Sequence, residues 1–160
     1  MASYVHALIA GVGLDPSKNY SLFTCLKVPA ALAACLLPHY AAVLAAGLNI
    51  YDNAHPRNFR DNLTRDTSRK QRILRSEAAS LNGFETLGFF AAGVAAANHA
   101  GLDAPTLNAL SVGYVLLRAA FVLSYVYVRN RRLSWLRTIL WNVASALSIM
   151  LWVRAGLKVL

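Results

Sequence analysis

The sequence predicts an all-α membrane protein, a bundle of four transmembrane helices, and three observations predict it. Of the 160 residues, 57% are hydrophobic and only 14% are charged, where soluble domains carry about a quarter charged residues, and the mean hydropathy is +0.43. Four stretches, near Leu22–Ile50, Ala78–Ala100, Thr106–Val128 and Ser134–Val153, are apolar over the roughly 20 residues that cross a hydrocarbon core about 30 Å thick. The length leaves room for one domain, so residues 1–160 read as a single four-helix unit.

The first apolar run reads as a retained span rather than a cleaved signal, because no basic residue precedes Lys18 and the run extends past Tyr40. Before it, Met1–Tyr20 with the turn-forming Asp15-Pro16-Ser17 reads as a short interfacial or re-entrant segment. Pro29 and Pro38 remove backbone donors inside the span, which neighbouring membrane helices can compensate. After Ile50, YDNAHPRNFRD carries Asp, Asn and Pro, which end the helix in a turn. Arg57 in that turn makes a basic lip able to reach an anionic ligand.

Charge sets the expected orientation. Arg57, Arg60, Arg65, Arg69, Lys70, Arg72 and Arg75 lie between spans one and two, and Arg129, Arg131, Arg132 and Arg137 between spans three and four. The connection between spans two and three carries only Asp103. The positive-inside rule then puts both basic loops in the cytosol and both termini on the other side, in a multi-pass protein of the endoplasmic reticulum or another internal membrane. The net charge of +9 has nucleic acid as its rival explanation. The basic residues flank membrane spans and no soluble segment interleaves them with aromatics, so the expected partners are membrane lipid headgroups or an anionic ligand, with no nucleic acid.

Cys25 and Cys35 are ten residues apart in one span, and His6, His39, His55 and His99 are scattered over separate elements. Neither pattern has a ligand spacing, so no metal site is expected, and the cysteines read as small apolar residues. The polar residues within the spans are more informative. Arg75, Asn82 and Glu85 fall at spacings of seven and three, and Tyr114, Arg118, Phe121 and Tyr125 at four, three and four, so each set shares one helix face. An unpaired charge at mid-bilayer costs on the order of 3 kcal/mol, so Glu85 and Arg118, of opposite sign, are expected to face each other or a wet cavity. A plain structural ion pair would do this with no further role. The additional guanidiniums of Arg75, Arg131, Arg132 and Arg137 at one membrane mouth suit a ligand bearing carboxylates, such as a small acidic peptide.

These residues resemble a known family, the membrane-associated proteins in eicosanoid and glutathione metabolism (MAPEG). The resemblance rests on YDNAHPR after the first span, RSEAASLNGFETLGFF with its Asn82-x-x-Glu85 core, LNALSVGYVLLRAAFVLSYVYV with Arg118 and Tyr125, and WLRT at Trp135–Thr138, and it covers about Pro29 to Val153. It implies a homotrimer of four-helix subunits, with glutathione bound between subunits near the cytosolic face. By the same resemblance Arg75, Asn82, Glu85, Arg118 and Tyr125 hold the tripeptide, Arg137 stabilises its thiolate, and Thr138 donates a hydrogen bond to the sulfur. A guanidinium beside a thiol lowers its pKa, which agrees with that role.

The chain departs from the family pattern at Ala78, where glutathione-using members generally have arginine and Arg75 is the nearest substitute, and at Phe121, where tyrosine or histidine is frequent. The insertion RNRRLS makes Arg132 a competitor of Arg137 for the thiolate. Two function classes follow. One is a glutathione transferase, peroxidase or isomerase acting on a lipophilic small molecule, and the other is a non-catalytic lipid-binding or scaffold protein of the same fold. Retention of Asn82, Glu85, Arg118 and Tyr125 favours the enzyme, and loss of the arginine at Ala78 favours the scaffold. A transporter ranks below both, because the spans show no internal duplication.

Overall fold

The structure is a computed structural model that describes residues 2–15, 17–21, 27–47, 54–55, 67–130 and 132–160. Cys25, Arg57, Arg60, Arg65 and Arg131, and with them the basic lip, lie outside the described residues. Every regular element described is helical: α1 (Ala2–Gly11), α2 (Lys27–Ala46), α3 (Thr67–His99), α4 (Ala104–Tyr127) and α5 (Trp135–Val159), with one 3-10 turn, Arg132–Ser134, leading into α5. The four long helices pack as a bundle, and α1 lies against α4. Lys27–Ala46, Ala104–Tyr127 and Arg132–Val159 are each long and apolar enough to cross a membrane.

The second predicted span is the one whose outline changes. α3 runs for 33 residues and begins at Thr67, well before Ala78. Its first turns, TSRKQRILRSE, are built from Arg, Lys, Gln, Leu and Glu, which favour helix, so the helix continues past the apolar stretch. Arg69, Lys70, Arg72 and Arg75 therefore sit on a helical extension rather than in a loop. Ile73, Ser76, Glu77, Ser80, Gly83, Phe90, Val94 and Ala97 recur at helical spacing as its buried stripe.

The connection from α3 to α4 is fixed by local chemistry. Gly101 adopts φ +72°, a left-handed conformation that glycine takes without a Cβ penalty. Around it Leu102 N–H donates to the Ala97 carbonyl and Gly101 N–H to the Asn98 carbonyl, each at 3.1 Å, the hydrogen-bond pair of a Schellman turn. Two residues on, the Asp103 carboxylate accepts from Thr106 N–H at 2.9 Å and caps α4. Nearby, the buried Asn108 accepts from Tyr20 N–H at 3.2 Å and from the Lys27 ammonium, and donates to the Lys18 carbonyl at 2.9 Å. Asn98 donates to Ser21 Oγ at 2.8 Å. The segment before α2 is thereby strapped across the far end of the bundle.

Within the bundle, small residues let helices approach closely, as expected where lipid supplies no hydrophobic drive between them. A Cβ on Gly83 would lie 2.8 Å from Cys35 Sγ and 3.2 Å from Cys35 Cα, and one on Gly93 would lie 2.9 Å from Trp152 Nε1. Trp152 Nε1 donates to the Phe89 carbonyl at 3.2 Å, and its ring stacks on Phe89. Pro38 leaves α2 one backbone donor short, and in the same turn Ser80 Oγ donates to the Cys35 carbonyl at 2.7 Å. The core is filled by Phe90, Val94, Leu107, Leu110, Leu147 and Leu151, with Phe90 and Tyr114 stacked at 3.8 Å. Outside it, Leu136, Ile139, Val143, Ile149, Val153 and Leu157 expose apolar side chains along α5, a surface suited to lipid or to other subunits.

Gly83→Ala should lower the thermal midpoint measured in detergent, consistent with an overpacking cost of about 1–3 kcal/mol, because part of the clash is with Cys35 backbone. Asp103→Ala should cost about 1 kcal/mol at neutral pH through loss of the cap. Hydrogen bonds from Thr106 hold the Asp103 carboxyl below its ordinary pKa, so the charged cap favours the fold above that range and loses its advantage as pH falls through it. The stability gap between wild type and Asp103→Ala should accordingly narrow on acidification, as measured by thermal melts from pH 7 to pH 3.

Candidate functional site

The polar residues at bundle depth are arranged around Asn82. Arg118 is 3% exposed, and its Nη1 donates to Asn82 Oδ1 at 3.1 Å. The guanidinium also lies over the Phe121 ring, 4.6 Å from the centroid, a favourable cation–π geometry. One turn earlier on α4, Tyr114 OH donates to Thr86 Oγ1 at 3.2 Å, and Thr86 closes back onto the Asn82 and Gly83 carbonyls. The predicted α4 face of Tyr114, Arg118 and Phe121 is thus buried, with Tyr125 half-buried at its end.

Arg118 makes no direct hydrogen bond to Glu85, although the Glu85 carboxylate is near enough to act on its charge. Asn82 takes the guanidinium, and Glu85, three residues further along α3, is exposed on the surface of the single chain. The reason is helical phase: three residues rotate the side chain by some 60° from Asn82, enough to carry it off the α4-facing side. A close contact that was not foreseen, His39 Nδ1 with Glu77 Oε1 at 2.7 Å, joins α2 to α3. Nothing in a single sequence links these two positions, which lie 38 residues apart on different helices.

Toward the basic end, a cavity of about 440 Å³ opens between α3, α4 and α5. Asn82, Tyr125, Arg137 and Thr138, four of the predicted site residues, line it together with Phe121, Ser134 and Trp141. Arg137 rather than Arg132 reaches it, because Arg137 lies in the first turn of α5 while Arg132 is exposed in the preceding 3-10 turn. The Arg137 guanidinium lies over the Tyr125 ring, 4.7 Å from its centroid, and donates to the Val128 carbonyl. Ser134, Arg137, Thr138 and Trp141 follow one another at three, one and three residues, a single face of the start of α5. That spacing was a readable signal for Ser134 and Trp141, which sequence reasoning left out.

Arg75 is not brought to this cavity. It stands two turns from Asn82 on α3, and its Nε donates to the Val126 carbonyl at 3.2 Å, with Arg129, Arg137 and Arg72 as its charged neighbours. Among the described residues, Arg75 Nη2, Arg118 Nη2 and Arg137 Nε are buried without a hydrogen-bond partner, and of the three only Arg137 lines the cavity. Buried donors of this kind are normally satisfied, so Arg137 Nε marks the cavity wall as a place for an acceptor group. The arrangement combines cationic donors, the Tyr125 phenol and Thr138 hydroxyl, the positive end of the α5 dipole and two apolar aromatic walls. Chemically, it can hold an anion and stabilise negative charge beside an apolar surface.

No curated protein and no solved structure matches the chain. A family model described as MAPEG family matches residues 26–157, which include all four long helices nearly in full and every residue of the cavity. The buried polar face, the helical membrane architecture and this match agree, and the chain belongs to the MAPEG family, membrane proteins of eicosanoid and glutathione metabolism.

Proposed function

We propose that the protein is a glutathione-dependent membrane enzyme that acts on a lipophilic substrate. The observation that carries this reading is the convergence of Asn82, Tyr125, Arg137 and Thr138 on one cavity, where Arg137 Nε has no hydrogen-bond partner among the described residues. The guanidinium, amide and phenol of the cavity fit a peptide carboxylate, so Arg137, Asn82 and Tyr125 would hold the tripeptide there, with Arg118 positioning Asn82 from behind and Arg75 outside the lining. When bound, glutathione supplies a sulfur nucleophile. Arg137 and the N-terminal end of α5 favour the anionic form of that sulfur, since both place positive charge at the same wall. Thr138 adds a hydroxyl donor, while Phe121 and Trp141 exclude water and give the lipophilic partner an apolar surface. Conjugation, peroxide reduction and isomerisation all begin from this charge-stabilised state.

The reading extends to a homotrimer with the site at the cytosolic side of an internal membrane. Glu85 supports the assembly, because an exposed carboxylate at membrane depth costs on the order of 3 kcal/mol unless a neighbour covers it. The second reading, a lipid-binding or scaffold protein without catalysis, is favoured by Ala78, which removes one expected cation from the site.

Titration of detergent-purified protein with glutathione, followed by thiolate absorbance in the ultraviolet, separates the two. The wild type should build up thiolate at pH 7, whereas free thiol with a pKa near 8.5 is only a few per cent ionised there. Arg137→Ala should retain binding within about tenfold and lose the thiolate signal until the pH is raised by one unit or more, a tenfold change in ionisation per unit. Absence of both binding and thiolate in the wild type would establish the scaffold reading instead. Separately, Glu85→Gln should reduce the trimer fraction measured by light scattering, and an unchanged mass would show that Glu85 plays no part in assembly.

A further inference from the structure

An asparagine side chain has two halves of opposite character, an oxygen that accepts and an NH2 group that donates, and its neighbours decide which of them a ligand meets. At Asn82 the decision falls to Arg118. A guanidinium carries donors only, so the contact of Arg118 Nη1 at 3.1 Å is made with Asn82 Oδ1. Turning the amide over would set donor against donor and cost the guanidinium this bond, which belongs to the strong, charge-assisted kind. Among the described residues Arg118 has no other side-chain acceptor to turn to. Its Nη2 is already buried without a partner, and Glu85 acts on it only at longer range.

The other half of the amide is differently placed. Asn82 is half-buried and lines the cavity, whereas Arg118 is buried and does not. Asn82 Nδ2 meets no acceptor among the described residues, yet, unlike Arg118 Nη2, it is not closed off from solvent. It therefore lies on the open side of Asn82, the side that borders the cavity. The main chain beneath is held as well, because Thr86 Oγ1 closes onto the Asn82 and Gly83 carbonyls at 3.3 and 3.2 Å and Tyr114 OH closes onto Thr86. The Phe121 ring supports the guanidinium, 4.6 Å from its centroid, and also forms part of the cavity wall.

We propose that Arg118 is a positioning residue that locks the Asn82 amide with Nδ2 toward the cavity, so that this wall takes only a hydrogen-bond acceptor from the ligand. The lock stands on the geometry alone, and the identity of the ligand rests on the glutathione reading above. Arg137 is a donor-only cation on the same cavity, so together with Nδ2 it selects a carboxylate or carbonyl oxygen and rejects an ammonium. Glutathione carries two carboxylates and one ammonium. A carboxylate or peptide carbonyl of the tripeptide therefore faces Asn82 and Arg137, and its ammonium points away from them.

The lock is read first without ligand, by nuclear magnetic resonance of the full chain in detergent with nitrogen-15 asparagine. The Asn82 side-chain signal is identified by its loss in Asn82→Asp, and its amide protons should show Overhauser effects to water. Amide protons that see no water would overturn the proposal. Glutathione should then shift that signal in the wild type. Asn82→Asp keeps an oxygen for Arg118 and turns the cavity-facing donor into an acceptor, so it should melt at or above the wild-type temperature yet bind glutathione about tenfold or more weakly by calorimetry. Unchanged binding in Asn82→Asp would overturn the proposal. Arg118→Met frees the amide and should weaken binding about tenfold with a smaller shift of the Asn82 signal. A lower melting temperature in Arg118→Met with affinity and shift both unchanged would mark Arg118 as structural only and overturn the proposal, and if that variant does not fold, Asn82→Asp decides alone. A wild type whose Asn82 amide sees water but which binds no glutathione would sink the glutathione reading and leave the lock standing.

Discussion

A guanidinium buried at membrane depth must be supplied with partners by the protein, and the arrangement of α3 and α4 depends on how Arg118 is supplied. Its Nη1 takes the Asn82 amide oxygen and its face takes the Phe121 ring, one contact across the helix pair and one along its own helix. The first fixes the rotation of α3 against α4 at the level of Asn82. Tyr114, a turn away, repeats the link through Thr86. With two ties one turn apart, neither helix can rotate or slide without exposing a charged or hydroxyl group to lipid, where such groups find no substitute partner.

That constraint explains why the site lies where it does. Once Asn82 is turned toward α4, the next residues of the α4 face, Phe121 and Tyr125, are carried to the basic end, and α5 enters beside them with Arg137 stacked on Tyr125. The cavity is the space left where the three helices separate above the last tight contact. Below it the small residues Gly83 and Gly93 draw α2 and α5 onto α3, so the bundle is closed at its middle and open at one end. A polar network and an apolar core thus occupy successive levels of the same helices rather than competing faces.

The sequence made much of this legible because membrane architecture follows from few signals. The start of α4 and the turn before it follow from Gly101, Asp103 and Pro105, local preferences that sit in the short connection the apolar pattern had already marked. The start of α3 did not, because hydropathy reports where the apolar slab begins and says nothing about a helix of basic residues that continues beyond it. That Glu85 acts on Arg118 only at longer range, without a direct hydrogen bond, has a related reason. Opposite charges attract at any phase, but only the residue on the facing side of α3 can be reached, and that residue is Asn82. The His39–Glu77 pair joins helices whose relative rotation no periodicity in either one specifies, so it emerges only with the packing.

The strap at the far end has a counterpart at the near one. Asn108 holds the backbone at Lys18 and Tyr20 together with the Lys27 ammonium, and Asn98 holds Ser21 beside the Schellman turn, so the ends of α2, α3 and α4 on that side are joined by a ring of hydrogen bonds. The opposite ends are joined by arginines instead: Arg69 of α3 donates to the Ala45 carbonyl of α2, Arg75 of α3 to the Val126 carbonyl of α4, and Arg137 of α5 to the Val128 carbonyl just after α4. The two ends of the bundle are thus joined by different chemistry, neutral amide side chains at one and charged guanidiniums on main-chain carbonyls at the other.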